Sequence, residues 1–260
     1  MARVIALANQ KGGVGKTTST INIASALANR GRRVLAIDAD PQASLTVSFG
    51  YNPDELETQE KTLYFSILGD KPLSALALGE NPQLVPSSIQ LADAEPELIT
   101  NILLNAATVL KERVKEVREQ YDFILIDCPP TLGLLTINGL TAADAVLIPV
   151  ETNNLSARGV ELLFKTIEKL QTRLNPDLQI LGVLPTKYNP RYTHDNEVLH
   201  KLKERLLERG VRIFNPIHRS TAFDKATVEG KSAVELSPDI LGVQVYQSLA
   251  DEILVKITPP

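Results

Sequence analysis

The stretch Gln10–Lys11–Gly12–Gly13–Val14–Gly15–Lys16–Thr17–Thr18 constrains this chain more than any other, because it follows directly on the apolar run Val4–Ile5–Ala6–Leu7–Ala8. An apolar run, then glycines, then Lys–Thr–Thr opening an amphipathic stretch, predicts strand, phosphate loop and helix. Gly12, Gly13 and Gly15 let the backbone take conformations that a side chain forbids, so successive N–H groups can converge on phosphate oxygens at a helix N-terminus. Lys16 adds positive charge at the β- and γ-phosphates, and Thr17 offers a hydroxyl to Mg²⁺. The pattern departs from G-x-x-x-x-G-K-[ST] in one place: Gln10 stands where the first glycine falls, and Lys11 follows it.

Downstream the chain alternates apolar runs with amphipathic stretches. The first helix spans roughly Thr18–Asn29, Gly31 stops it, and strand Arg33–Ile37 ends at Asp38. Residues 50–95 are the least regular part; Pro53, Pro72, Pro82, Pro86 and Pro96 punctuate short apolar patches that predict small helices, loops and one strand around Leu84–Val85. A long helix is expected over Glu97–Glu119. Strand Phe123–Ile126, a short helix near Leu134–Leu140, strand Ala145–Val150, helix Ala157–Leu174 and strand Leu178–Leu184 follow. Helix Glu197–Arg209 carries Val198, Leu199, Leu202, Leu206 and Leu207 toward the core, and the C-terminal helix spans about Leu241–Lys256. This alternation predicts an α/β fold: a mostly parallel twisted sheet with helices on both faces, in the architecture of a P-loop NTPase, with ligand at the carboxyl ends of the strands.

Composition limits the rest. With 260 residues, 43% hydrophobic and 22% charged, one domain over 1–260 is expected. Apolar runs such as Phe123–Ile126 and Ala145–Val150 fall far short of the about 18 residues of a membrane span. The N-terminus lacks the pattern of a signal peptide, which places the protein in the cytoplasm. The single cysteine, Cys128, excludes an internal disulfide and reads as a small buried residue. Net charge is −4, yet between Lys187 and Lys231 ten Lys/Arg face six Asp/Glu.

Two further motifs sit at strand ends. Asp38–Ala39–Asp40–Pro41–Gln42 would aim two carboxylates at bound nucleotide, with Asp40 orienting the attacking water and Asp38 shaping either the Mg²⁺ shell or the switch. Phe123–Ile124–Leu125–Ile126–Asp127 looks like a Walker B strand, four apolar residues delivering one carboxylate that can hold the Mg²⁺ shell through water.

These motifs resemble the deviant Walker A ATPases of the ParA/MinD family. The motif Asp38–Ala39–Asp40–Pro41–Gln42 and the pair Pro129–Pro130 favour the ParA branch, in the short form expected without an N-terminal helix-turn-helix. The resemblance implies ATP and Mg²⁺ as cofactors. It implies a nucleotide-sandwich homodimer in which Lys11 reaches the partner subunit's ATP, and a second switch over Cys128–Gly133 that responds to the γ-phosphate. A ParB-like adaptor on plasmid, chromosome or protein-compartment cargo would stimulate slow hydrolysis. Pro216 and His218 fall near the segment expected over adenine. Arg191 and Arg219 stand where the family's DNA-contacting arginines fall; with Lys187 and Lys225 they form the expected patch for nucleoid DNA of any sequence. His194, His200 and His218 are too dispersed for a metal triad.

Two other readings make contrary demands. A MinD-type membrane ATPase needs a basic amphipathic C-terminal helix, whereas Val245, Leu249, Ile253 and Leu254 resemble a core-packing stripe and Ile257–Thr258–Pro259–Pro260 cannot extend it. An ATPase like the nitrogenase iron protein needs two cysteines per subunit for a shared cluster. The expected partners are a second copy, DNA and the adaptor, with no membrane.

Overall fold

Strands made of unbroken apolar residues must be covered on both faces, and the sheet of this protein obeys that rule. The computed structural model describes residues 1–69, 71–77, 81–100, 105–152 and 157–257. Among these, the strands are β1 (Arg3–Leu7), β2 (Val34–Asp38), β3 (Leu76–Ala77), β4 (Gln83–Val85), β5 (Phe123–Asp127), β6 (Ala145–Glu151) and β7 (Gln179–Thr186). They form one sheet in the order β3-β4-β2-β5-β1-β6-β7. All neighbours pair in parallel except β3, which runs antiparallel to β4 at the edge.

The first half of the chain supplies helices α1 (Lys16–Ala28), α2 (Ser44–Ser48), α3 (Pro53–Thr58), α4 (Leu63–Ile67), α5 (Ala94–Thr100) and α6 (Val109–Val117). The second half supplies α7 (Leu134–Ala142), α8 (Ala157–Arg173), α9 (Thr193–Glu208), α10 (Ala222–Val228), α11 (Ala233–Leu236) and α12 (Leu241–Ile257). Alternate strand residues face opposite sides: Val4 and Ala6 join a core with Leu110, Leu135, Leu163 and Leu202, while Ile5 and Leu7 join Ile23, Leu27, Tyr246, Leu249 and Ile253. Burial of side chains such as Leu249 and Ile253, each worth about 1.5–3 kcal/mol, makes α12 part of the core.

The elements depart from expectation in three places. The long helix over Glu97–Glu119 is instead α5 and α6; residues 101–104 lie outside the described residues. A new helix begins at Val109 because Asn138 of α7 reaches across, its Oδ1 accepting the Leu110 N–H (3.1 Å) and its Nδ2 donating to Ala106 O (2.6 Å). On α9, Leu199, Leu202 and Leu206 are buried at the i, i+3, i+7 spacing, but Leu207 is 81% exposed because it lies one residue off that stripe. The expected strand at Leu84–Val85 forms as β4 and is joined by β3. Of the C-terminal tail, residues 258–260 lie outside the described residues. Among the described residues no helix is long and apolar enough to cross a membrane.

Register brings the chemistry together. Leu7 lies abreast of Asp127, and Asp127 abreast of Asp38, so β1, β5 and β2 end side by side at the carboxyl edge of the sheet.

Candidate nucleotide site

The loop after β1 is pinned by three hydrogen bonds, two to β6 and one to β7. The Ala8 N–H donates to Leu147 O (3.2 Å), Asn9 Nδ2 donates to Pro149 O (2.6 Å), and Thr186 Oγ1 donates to Val14 O (2.8 Å). Gly13 and Gly15 take φ of 70° and 82°, the left-handed region that favours glycine. Gly15 then caps α1, whose first turn carries Lys16, Thr17 and Thr18. Gly12, Gly13, Gly15 and these three residues line a cleft of about 500 Å³, closed opposite by Asp40 and Pro130.

Lys16 is buried, its Nζ 3.4 Å from Lys11 O. Burial lowers the pKa of its ammonium, and the neighbouring Asp127 works against that shift. Thr17 Oγ1 donates to Asp127 Oδ2 (2.7 Å) and Thr20 Oγ1 to Oδ1 (3.3 Å). Burial pushes Asp127 up to about 7 despite these bonds and Lys16. Two hard oxygen ligands side by side, one of them a carboxylate whose charge burial disfavours, fit a divalent cation. Among the described residues no group of three His, Cys, Asp or Glu could hold a metal, so Mg²⁺ at Thr17 and Asp127 would complete its coordination with phosphate and water.

The aspartates of the second motif divide. Asp38 is fully buried and pushed up to about 8, by burial first and by Asp127 second. Its Oδ2 accepts from the Thr46 N–H (2.8 Å) and Oγ1 (2.7 Å), and its Oδ1 from the Asp40 N–H (3.2 Å). These bonds tie Asp38 to the start of α2 and to the segment that carries Asp40. Asp40 faces the cleft, with its Oδ1 accepting the Gln42 N–H (3.0 Å). Cys128 is fully buried, with its thiol pKa raised by burial, as its reading as a small core residue requires.

Lys11 shows a contact that sequence reasoning missed. Its Nζ lies 2.7 Å from Glu151 Oε2 at the end of β6, and Lys187 Nζ lies 3.7 Å from Oε1 of the same carboxylate. The neighbouring β6 and β7 ends bring the three together, which spacing along the chain could not reveal.

A second pocket, of about 260 Å³, opens beside Gly15 and Thr18. Ile217, His218, Phe223 and Tyr246 line it, with Tyr246 Oη and Ser19 Oγ 2.9 Å apart. Of the two residues expected near adenine, His218 lines this pocket and Pro216 is outside the lining. The Ile217 N–H donates to Pro185 O and the Tyr188 N–H to Ile217 O, a ladder that brings 217 and 218 to the pocket and leaves Pro216 beyond it. Sequence patterns single out neither Phe223 nor Tyr246: they place no helix around Phe223, and Tyr246 sits on a helix that reads as core packing.

The candidate DNA cations separate similarly. The N–H of Arg219 donates to Tyr188 O and that of Arg191 to Asn189 Oδ1, so both exposed arginines spring from one joined pair of segments. Lys225 is exposed on α10. Lys187 lines both pockets, which places it with the nucleotide cleft.

Comparison with known proteins agrees with this architecture. A family model described as an AAA domain matches residues 2–180. The sporulation initiation inhibitor protein Soj of Bacillus subtilis is 37% identical over 256 residues, spanning 97% of this chain and 98% of Soj. The chromosome partitioning protein ParA of Myxococcus xanthus is 34% identical over 262 residues, spanning 100% of this chain and 90% of ParA. A crystal structure described as cobyrinic acid a,c-diamide synthase from Mycobacterium smegmatis, with bound ADP and magnesium, superposes with a TM-score of 0.84 at 38% identity, covering 98% of this chain and 94% of the other. Relatives named for chromosome partitioning share this chain almost throughout, and the protein belongs to the ParA family of P-loop ATPases.

Proposed function

We propose that the protein is an ATP-driven partition switch. The observation that carries this reading is the single cleft in which Lys16, Thr17 and Asp40 meet beside Asp127. The triphosphate lies along the glycine loop, with Lys16 at its β- and γ-phosphates and the base in the pocket of His218, Phe223 and Tyr246. Mg²⁺, held by Thr17 and through water by Asp127, supplies charge neutralisation between the phosphates. Asp40 orients the attacking water and Asp38 fixes the loop that carries it. Bound ADP and magnesium in the M. smegmatis structure support these cofactors.

Two copies then close face to face, Lys11 leaving Glu151 for the partner's nucleotide, where a second cation offsets repulsion between two polyphosphates. Dimerisation doubles a weak patch built on Arg191, Arg219 and Lys225, so ATP raises DNA affinity by avidity. A ParB-like adaptor on the cargo stimulates hydrolysis and returns the protein to free subunits. Soj and the ParA relatives support this cycle by their names and similarity.

Two alternatives lose ground on particular residues. An amide-forming reaction, as the name of the M. smegmatis structure would suggest, takes ammonia in many enzymes from a glutamine amide cleaved by a nucleophilic thiol, and Cys128 is buried with its pKa raised. Membrane attachment through α12 would have to expose Leu249 and Ile253, which are core residues.

Light scattering and DNA retention with MgATP or MgADP test the proposal. MgATP should give a dimer that retains DNA, and Asp40→Ala should lower turnover about tenfold or more while preserving that dimer. Arg191→Glu with Arg219→Glu should release DNA without affecting dimerisation. A monomer in MgATP, or full turnover by Asp40→Ala, would overturn it.

A further inference from the structure

The segment from β4 into α5, in the region where sequence patterns are weakest, touches α2 and α7, the helices that follow the two loops lining the phosphate cleft. At its start the Ser87 N–H donates to Thr46 Oγ1 (2.9 Å), the hydroxyl that donates to Asp38, which in turn accepts the amide of Asp40. At its end Glu95, in the first turn of α5, reaches the opposite loop: its Oε1 accepts the Leu135 N–H (3.0 Å) at the start of α7. That helix has no cap from its own Gly133, so a carboxylate from another element meets its unpaired N–H groups and the positive end of its dipole.

Gly133 shows how close the contact is. Its φ of −76° and ψ of −173° are open to any residue, so the backbone does not require glycine. The carboxylate of Glu95 is what an added side chain would have to move: a Cβ at 133 would stand 2.6 Å from Oε1 and 3.1 Å from Oε2. The turn 128–133 thus runs from Asp127, past Pro130 at the cleft, to a C-terminal end held by this carboxylate.

We propose that Glu95 is a positioning residue for the turn Cys128–Gly133, holding its end against α7 so that the turn meets the γ-phosphate in register. The assignment rests on the nucleotide reading given above. Asp40 and this turn are then set by two ends of one segment, and neither end touches nucleotide.

The test combines ATP turnover, MgADP affinity and amide hydrogen exchange on the full chain. Glu95→Ala should lower kcat about tenfold while keeping MgADP affinity within about twofold, and Glu95→Gln, which retains an acceptor oxygen, should keep most of the activity. Gly133→Ala should displace the carboxylate without backbone strain. It should lower kcat as Glu95→Ala does, and should lower it no further when Glu95 is already Ala. Should Glu95→Ala fail to fold, Gly133→Ala alone decides, by lowered kcat with MgADP affinity kept.

Unchanged kcat in these variants, MgADP affinity falling in step with kcat, or a Gly133→Ala cost undiminished in the Glu95→Ala background would overturn the proposal. If the parent protein showed no ATP turnover, the proposed function would fail. Exchange at the Leu135 amide would still report on Glu95, rising in Glu95→Ala if the carboxylate holds the turn and staying at the parent rate if it does not.

Discussion

The two ends of β5 carry the same side chain in opposite circumstances. Asp122, just before the strand, accepts from Arg33 Nη2 (3.1 Å) and from the Arg33 N–H (2.8 Å), and these bonds hold its carboxyl below the usual range. Asp127, its last residue, is buried against the hydroxyls of Thr17 and Thr20 and is pushed up to about 7. The neighbouring strands repeat the contrast. Asp144, before β6, grips Arg118 Nη2 with both oxygens (2.7 and 2.6 Å) and accepts the Val4 N–H, while Asp38, ending β2, has Thr46 and a backbone amide. At the amino edge each carboxylate has an arginine beside it, and its role is complete in the folded chain. At the carboxyl edge, burial without an arginine partner disfavours the charged carboxylate, a penalty that a bound cation would relieve.

The comparison is broken most directly at Lys16. If the carboxyl edge serves a ligand, Lys16→Ala should weaken MgATP binding about a hundredfold or more by calorimetry, because a charge-assisted contact to phosphate is lost. Its unfolding midpoint should move little, since a buried ammonium is removed with its contact. ATP affinity equal to the parent's would erase the distinction between the edges.

At the amino edge the expectation reverses. Asp144→Ala strands Arg118 and the Val4 amide and should cost about 2 kcal/mol in denaturant unfolding, with MgATP affinity unchanged. A shift in nucleotide affinity as large as the loss of stability would show the two edges to be coupled.

The smallest effect sharpens the contrast by pH. The folded pKa of Asp122 lies below its unfolded value of about 3.9, so its stabilisation is full above that value and disappears as pH falls through the folded pKa. Asp122→Asn should therefore flatten the acid limb of stability against pH, and an unaltered limb would remove Arg33–Asp122 from the account.

The phosphate loop was legible because its conformation is local. Residues 13 and 15 need a left-handed backbone, and a strand ending at Leu7 fixes where that loop can stand. Asp127 was legible for a related reason, as the first charge after four apolar residues. The break between α5 and α6 was not, because its cause is Asn138, a side chain contributed by a helix formed later in the chain. Leu207 was misplaced because adjacent leucines on a helix point about 100° apart and only one can follow the buried stripe. The Lys11–Glu151 pair, the second pocket with Phe223 and Tyr246 in its lining, and Glu95 beside Gly133 all depend on which elements become neighbours.

Tyr246 has a practical consequence. The chain contains no tryptophan, so its near-ultraviolet emission comes from tyrosine, and this ring is shielded from water where it forms one wall of the second pocket. A purine lodged there would quench that emission, giving an optical titration of occupancy without any attached dye.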